Sequence, residues 1–367
     1  MKKAIPLLLL FNLFSGIAYS QFFNLQMAQD AYDNGAYDFA LNFLNTEEKG
    51  ARTFSQLPKS DKEKVLILLT QIYIEKQDYH EVNKALTLLY KNNPNYKPTT
   101  GIYQEDFYRY AKTIKVRPVF SAGVKAGLGF PHFSIKKNYA VYDSTDYTTP
   151  YKAQRGYCYT GYLQSNFENN FALILDYSYC KIGYSRTIER NGSDNFSLNY
   201  SEIIYNNDFG LLLKKYLFKN DTKLFGDQTI KHTGSGPYLA IGGYYSKMRQ
   251  AQANVELNFD YIERQNQYIE PKNITRNNID VKDMRNKNRF GISGAIGSSL
   301  TIDRFVISLE GKYLYDITEL TNPEKRYIND ELLLNYYYID NDVSMSRIDV
   351  SLSLAYIFSY KVKSKIK

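Results

Sequence analysis

Residues Arg347 to Tyr360 read R-I-D-V-S-L-S-L-A-Y-I-F-S-Y. Ile348, Val350, Leu352, Leu354, Tyr356, Phe358 and Tyr360 share one face, and Arg347, Asp349, Ser351, Ser353, Ala355, Ile357 and Ser359 the other. A period of two is the signature of a β-strand, and here one side is greasy and the other mostly polar. The segment is long enough to cross a hydrocarbon layer when tilted. It predicts a membrane-spanning strand whose polar face, with an Arg and an Asp, looks into an enclosed space.

The chain begins MKKAIPLLLLFNLFSGIAYS, two lysines before a short apolar run that ends in small residues. This pattern predicts a secretory signal peptide over 1–20, with Gln21 first in the mature chain. No later stretch approaches the roughly 20 apolar residues of a membrane helix. An exported chain rich in Tyr (36) and Phe (21) suits strands that lie in lipid and end at the headgroups. The net charge of +8 comes from lysines and arginines scattered through the chain, so nucleic acid is not expected as a partner.

Two helical segments follow, Met27 to Leu44 and Val65 to Lys91, with apolar residues at i, i+3, i+4 and i+7. The second resembles a tetratricopeptide repeat through Leu69, Tyr73, Tyr79, Val82, Leu86, Leu89 and Pro94, positions where that family packs its helices and places its closing proline. The first resembles a weaker copy through Ala28, Gly35, Tyr37, Ala40 and Leu44. A plain helical hairpin is the alternative. A short third helix is expected over about 103–113.

At Pro118 the period changes from helix to strand. Eight strands are expected, over about 117–129, 154–168, 171–187, 198–217, 236–250, 287–301, 304–319 and 345–360. Long connections (about 130–153, 188–197, 251–286 and 320–344) alternate with shorter ones, two of them tight turns. That alternation is the habit of outer-membrane barrels, with long loops outside and short turns in the periplasm. The fold expected is therefore α+β and multidomain. A signal peptide (1–20) precedes a small helical domain (21–114), an eight-stranded antiparallel transmembrane β-barrel (115–362) and a basic tail (363–367). The helical domain and the C-terminus fall on the periplasmic side.

The run N-P-N-Y-K-P at 93–98, Phe107 to Tyr110, and V-R-P-V-F-S-A-G-V-K-A-G at 116–127 give the chain a resemblance to porin-like (PorT-like) outer-membrane β-barrel proteins with a TPR-like periplasmic prefix. The resemblance spans nearly the whole mature chain. It implies an architecture and no catalytic signature.

Strand seven places Phe305, Ile307, Leu309, Tyr313, Tyr315 and Ile317 toward lipid; strand three Phe171, Leu173, Leu175, Tyr177 and Tyr179; strand two Tyr157, Tyr159, Leu163 and Phe167. Strands four and five alternate less cleanly. An interior polar network is expected from Lys125, Asp176, Arg289, Glu310, Lys312, Asp316, Arg347 and Asp349, since buried charge needs a partner. If Phe167 pairs with Phe171, Cys158 stands opposite Cys180. An oxidising compartment then favours a disulfide over two reduced thiols.

No metal spacing, cofactor fingerprint or catalytic set emerges. His80, His132 and His232 are the only histidines, and His132 near Ser134 and Asp143 is a weak signal for a hydrolase. The function expected is a barrel anchoring a periplasmic adaptor domain, in contact with outer-membrane lipid and with a protein partner of a secretion, motility or uptake complex. A narrow channel or loop-based surface binding protein is the alternative, and a lipid-modifying enzyme a third class.

Overall fold

The computed structural model describes residues 25–45, 54, 57–98, 103–140, 150–190, 196–217, 221–222, 230–231, 235–259, 262–264, 267–269 and 272–364. The expected signal peptide, most of the 218–235 connection and the last three residues lie outside these. The chain divides into two compact units, Pro118–Ser359 and 1–117 together with 360–367.

In the helical unit, the segment over Met27 to Leu44 forms a hairpin of two helices, α1 (25–33) and α2 (Tyr37–Asn45). Gly35, at φ +73°, turns the chain between them, a backbone state that glycine adopts without strain. The next hairpin is α3 (Lys59–Glu75) and α4 (Tyr79–Asn92), turned by Gln77 at φ +55°. The two turns match bond for bond at an offset of 42 residues. Gly35 N donates to Tyr32 O and Ala36 N to Ala31 O; Gln77 N donates to Ile74 O and Asp78 N to Tyr73 O. Asp78 caps α4 by accepting from Glu81 N at 3.2 Å. A short α5 (Glu105–Ala111) completes the helices, with Phe107 fully buried.

The packing residues differ in part from those expected. Val82, Leu86 and Leu89 are fully buried and Pro94 is buried, but Tyr79 is 46% exposed and Leu69 and Tyr73 are half-buried. The physical reason is that α3 has neighbours on two sides. Leu66 and Ile74 enter one core with Val82, Leu86 and Leu89, while Leu68 and Ile72 enter another with Ala28 and Ala40. Tyr79, at the first turn of α4, packs at a tilt against the Tyr110 ring, centres 5.8 Å apart, instead of entering either core.

The second unit is a barrel. Its strands are β1 (Lys115–Lys137), β2 (Lys152–Asn166), β3 (Phe171–Arg190), β4 (Phe196–Tyr216), β5 (Gly236–Phe259), β6 (Lys272–Asp280), β7 (Asn288–Ile302), β8 (Phe305–Asp316) and β9 (Asp342–Lys363). Eight of them, all but β6, form a ring: β9 pairs with β1, and β4 with β5, so no edge is left open. β6 pairs with the far half of β5, beyond the stretch of β5 that pairs with β7. At one end the turns are tight. Asn169 and Asn170, at φ +63° and +66°, turn β2 into β3; Asp303, at φ +52°, turns β7 into β8. Asparagine and aspartate tolerate that left-handed state best after glycine.

The opposite end departs most from expectation. Residues 251–286 and 320–344 are not simply loops. A-Q-A-N-V-E-L-N at 251–258 continues β5 to Phe259, and β6 returns along it. β1, β3 and β9 also run past their expected limits at this end. Together with 281–287 and 317–341 these extensions build a roof with its own core, where Tyr200, Leu198, Val255, Leu257, Leu332 and Tyr338 are among the buried residues.

Candidate functional site: lumen and roof

The outer wall follows the pleat. Ile348, Val350, Leu352, Leu354, Tyr356 and Phe358 of β9 are between 41% and 61% exposed, while Arg347, Asp349, Ser353, Ala355 and Ile357 are buried. From Ile348 to Phe358 the chain rises about 33 Å along the strand, or about 25 Å along the axis at the usual tilt, the height of a transmembrane apolar band. β2, β3 and β8 repeat the pattern: Leu163, Leu175 and Leu309 are exposed, and Gln164, Asp176 and Glu310 are buried.

The interior is filled by paired charge. Lys125 meets Glu310 at 2.6 Å, Lys312 meets Asp176 at 2.9 Å, and Arg289 meets Asp316 at 2.7 Å. Arg347 bridges Asp208 and Asp349, both at 2.8 Å. The eight residues named from the sequence therefore all lie in this interior. Tyr238 donates to Glu310 at 2.8 Å, and the Tyr244 hydroxyl donates to Asp316. Lys214, 4% exposed, lies with Nζ 3.5 Å from the Tyr238 ring centre. Among the described residues the lumen holds five cations (Lys125, Lys214, Arg289, Lys312, Arg347) and five carboxylates (Asp176, Asp208, Glu310, Asp316, Asp349). One cavity among them, bordered by Lys125, Asp176, Asp208, Glu310, Lys312, Arg347 and Asp349, measures about 20 Å³, enough for a single water.

Asp208, Lys214, Tyr238 and Tyr244 were not identified from the sequence. They lie on β4 and β5, whose alternation is blurred by outward-facing Asn207, Lys215 and Gly243. Pairing supplies the missing signal, since Asp208 stands opposite inward-facing Ser178. Packing here is tight. A Cβ at Gly210 would lie 2.1 Å from Asp176 Oδ1, so the carboxylate occupies the space a side chain would need.

Cys158 and Cys180 stand opposite each other, with Cα atoms 4.2 Å apart, and form the expected disulfide. Asp349 Oδ2 lies 4.0 Å from Cys158 Sγ.

The roof carries a second charged group. Arg285 is 1% exposed. Its Nε donates to Glu202 Oε1 at 2.9 Å, and its Nη1 to Asp340 Oδ2 at 2.6 Å. Its Nη2 donates to the hydroxyls of Tyr184 and Tyr200 at 3.1 and 3.2 Å. Tyr338 donates to Asp340 at 2.8 Å and stacks on Tyr200 with ring centres 4.1 Å apart. Burial pushes the Arg285 pKa down, but Asp340 and Glu202 outweigh it and hold the group well above its usual value. No sequence pattern announces this cluster, because its members come from β3, β4 and two connecting segments.

His132 and Ser134 are exposed on β1 and His80 is exposed on α4, while Asp143 and His232 lie outside the described residues. His132, Ser134 and Asp143 are thus not brought together among the described residues. The cysteine pair and Asp349 come within reach of one another, but both thiols are bound in the disulfide.

No family model matches the chain, and no curated relative matches it. Solved structures similar to it include the outer membrane protein OprG of Pseudomonas aeruginosa, at 8% identity, 65% of this chain, 96% of that one and a TM-score of 0.34. Neisserial surface protein A is similar at 11% identity, 65% and 97% coverage and a TM-score of 0.24. The attachment invasion locus protein Ail of Yersinia pestis is similar at 10% identity, 65% and 99% coverage and a TM-score of 0.23. The closed ring, the apolar outer wall and the polar interior make the second unit a membrane β-barrel of the outer-membrane type.

Proposed function

We propose that the barrel is a closed anchor in the outer membrane, with its roof outward and its tight turns and both chain ends in the periplasm. The helical unit would then be an adaptor for a protein partner. The observation that carries this reading is the lumen itself. Five cations and five carboxylates fill it, and the cavity between Lys125, Glu310, Lys312 and Arg347 measures about 20 Å³, which argues against transport through the barrel. No enzymatic role is proposed, since the lumen carboxylates are engaged with Lys125, Lys312, Arg289 and Arg347 and, among the described residues, no nucleophile with a base stands beside them.

The helical unit supplies a different kind of surface. Its two hairpins repeat with matched turns at an offset of 42 residues, which supports the TPR-like reading. Stacked helix pairs of this kind present side chains to peptides or subunits. Phe39 on α2 and Leu88 on α4 are 66% and 46% exposed, and large apolar side chains left in water on a helical body suit a docking face. The test is affinity capture with the full chain and with a Phe39→Asp, Leu88→Asp variant. A stable partner held by the first and lost by the second, with heat-modifiable gel migration unchanged, supports the adaptor. Steady ion conductance of the purified protein in planar bilayers would sink the closed-anchor reading.

A further inference from the structure

Along β3, β4 and β5 the barrel wall reverses its polarity at one height. Below it the inward residues are polar (Asp176, Ser178, Asp208) and the outward ones apolar (Leu175, Tyr177, Phe209). Above it the inward residues are mainly apolar (Ile182, Ile188, Leu198, Val255, Leu257), and the outward ones include Ser185, Thr187, Asn199 and Glu256. Such a reversal marks the plane where lipid gives way to water.

Cations collect at this plane on one side of the barrel. On β2, β3 and β5 the first charged residue above the outward apolar run is Arg155, Lys181 and Lys247. Two β-bulges adjoin one ladder rung, Tyr157–Lys181–Tyr205–Gln250. Between Gln154 and Tyr157, β2 spends three residue steps against two on β3, and Arg155 lies in that bulge. Between Met248 and Gln250, β5 spends two steps against one on β4, and Arg249 is the extra residue. Bulges re-aim side chains, and Arg155 and Arg249 are both exposed. Lys181 stands directly between Tyr157 and Tyr205 in the ladders, with Nζ 5.9 Å from each ring centre. None of the four cations makes an ion pair with a carboxylate among the described residues. Elsewhere in the barrel Lys125, Arg285, Arg289, Lys312, Arg326 and Arg347 each have a carboxylate within 3 Å.

We propose that Arg155, Lys181, Lys247 and Arg249, with Tyr157 and Tyr205, form a binding site on the outer wall for the phosphorylated headgroup of an outer-leaflet glycolipid. Guanidinium groups grip phosphate in two-pronged fashion, and the tyrosines lie where a headgroup meets the acyl chains. The four strands β2 to β5 span about 14 Å of wall, comparable to the footprint of one multi-chain lipid. The choice of leaflet rests on the roof-outward orientation proposed above, and the phosphate chemistry rests on the residues alone.

The test uses the full chain in detergent micelles and fluorescent bisphosphorylated lipid A. At about 1 kcal/mol for each cation near an anionic surface, Arg155→Gln, Lys181→Gln and Arg249→Gln together should weaken binding on the order of a hundredfold. The charge-keeping set Arg155→Lys, Lys181→Arg and Arg249→Lys should retain most of it, and heat-modifiable migration checks that each variant is folded. Equal binding of dephosphorylated lipid A, or unchanged binding by the neutral variant, overturns the site. Full displacement by millimolar inorganic phosphate overturns the lipid assignment. Preference for phosphatidylglycerol over lipid A overturns the leaflet, and surface labelling of a roof cysteine introduced at Lys325 separates that failure from a wrong orientation.

Discussion

The lower and upper halves of the same strands obey opposite rules. In β4 the inward residues Asp208 and Lys214 belong to a polar lumen, while Tyr200, Leu198 and Phe196, further along the same face, belong to an apolar core. The outer wall makes the opposite change, from Leu211 and Phe209 to Ser201, Asn199 and Ser197. The backbone and its register run straight through, apart from one bulge. What changes is the solvent. Against hydrocarbon the apolar side chains belong outside, and the small lumen must be filled by polar groups that satisfy one another. Against water the hydrophobic effect returns the apolar residues to the inside.

The two halves should therefore fail differently. The largest loss is expected from Arg285→Met in the roof, which strands Glu202 and Asp340 in an apolar core. Removing one member of a buried ionic group costs about 3–5 kcal/mol. Limited proteolysis should then cut the roof while the ring of strands stays heat-modifiable. Resistance equal to the parent chain would show that the roof does not depend on its charged centre.

In the lumen, replacing Cys158 and Cys180 together by Ser removes a cross-link between residues 22 apart in sequence. Loop-closure entropy sets the loss at up to about 3 kcal/mol, read from urea unfolding in lipid vesicles. A smaller value would mean that the tight 167–171 turn already holds the hairpin. Glu310→Gln should cost less, about 2 kcal/mol, because Lys125 keeps the Tyr162 ring 5.0 Å away and the carboxylate's loss is one charge in a connected network. A loss above that of Arg285→Met would reverse the ranking of lumen and roof.

The helical unit follows the roof's rule, with tyrosines inside an apolar core. Burial pushes the Tyr90 pKa up from about 10 to about 12. A group whose folded pKa is raised contributes stability that is complete below pH 10 and is lost as the pH climbs through 12. Helical circular dichroism should therefore fall between about pH 10 and pH 12 before the strand signal does, and a Tyr90→Phe variant should delay it. The smallest effect is expected from Tyr79→Ala. This exposed ring touches only Tyr110 among the described rings, so its loss should stay within about 0.5 kcal/mol in thermal unfolding.

Local patterning is enough to assign the outward faces of β2, β3, β8 and β9, because residues such as Ile348 and Leu352 need only the period of two and a lipid neighbour to choose a side. It is also enough to bring Cys158 and Cys180 together, because a tight turn fixes the register of the hairpin it closes. The rest comes from packing between distant elements. Leu69 and Tyr73 are half-buried because α3 packs into two cores on different sides, which local periodicity does not show. Asp208 and Lys214 became lumen residues through pairing with β3, although their own strand alternates poorly. The stretch 251–258 alternates as well as any membrane strand, but its polarity is read correctly only once water, not lipid, is known to lie outside it. Arg285, Glu202 and Asp340 are far apart in the chain, and their pairing exists only because the extended strands bring the connecting segments together over one core. Periodicity records which way a side chain points; which medium it meets there depends on everything packed around it.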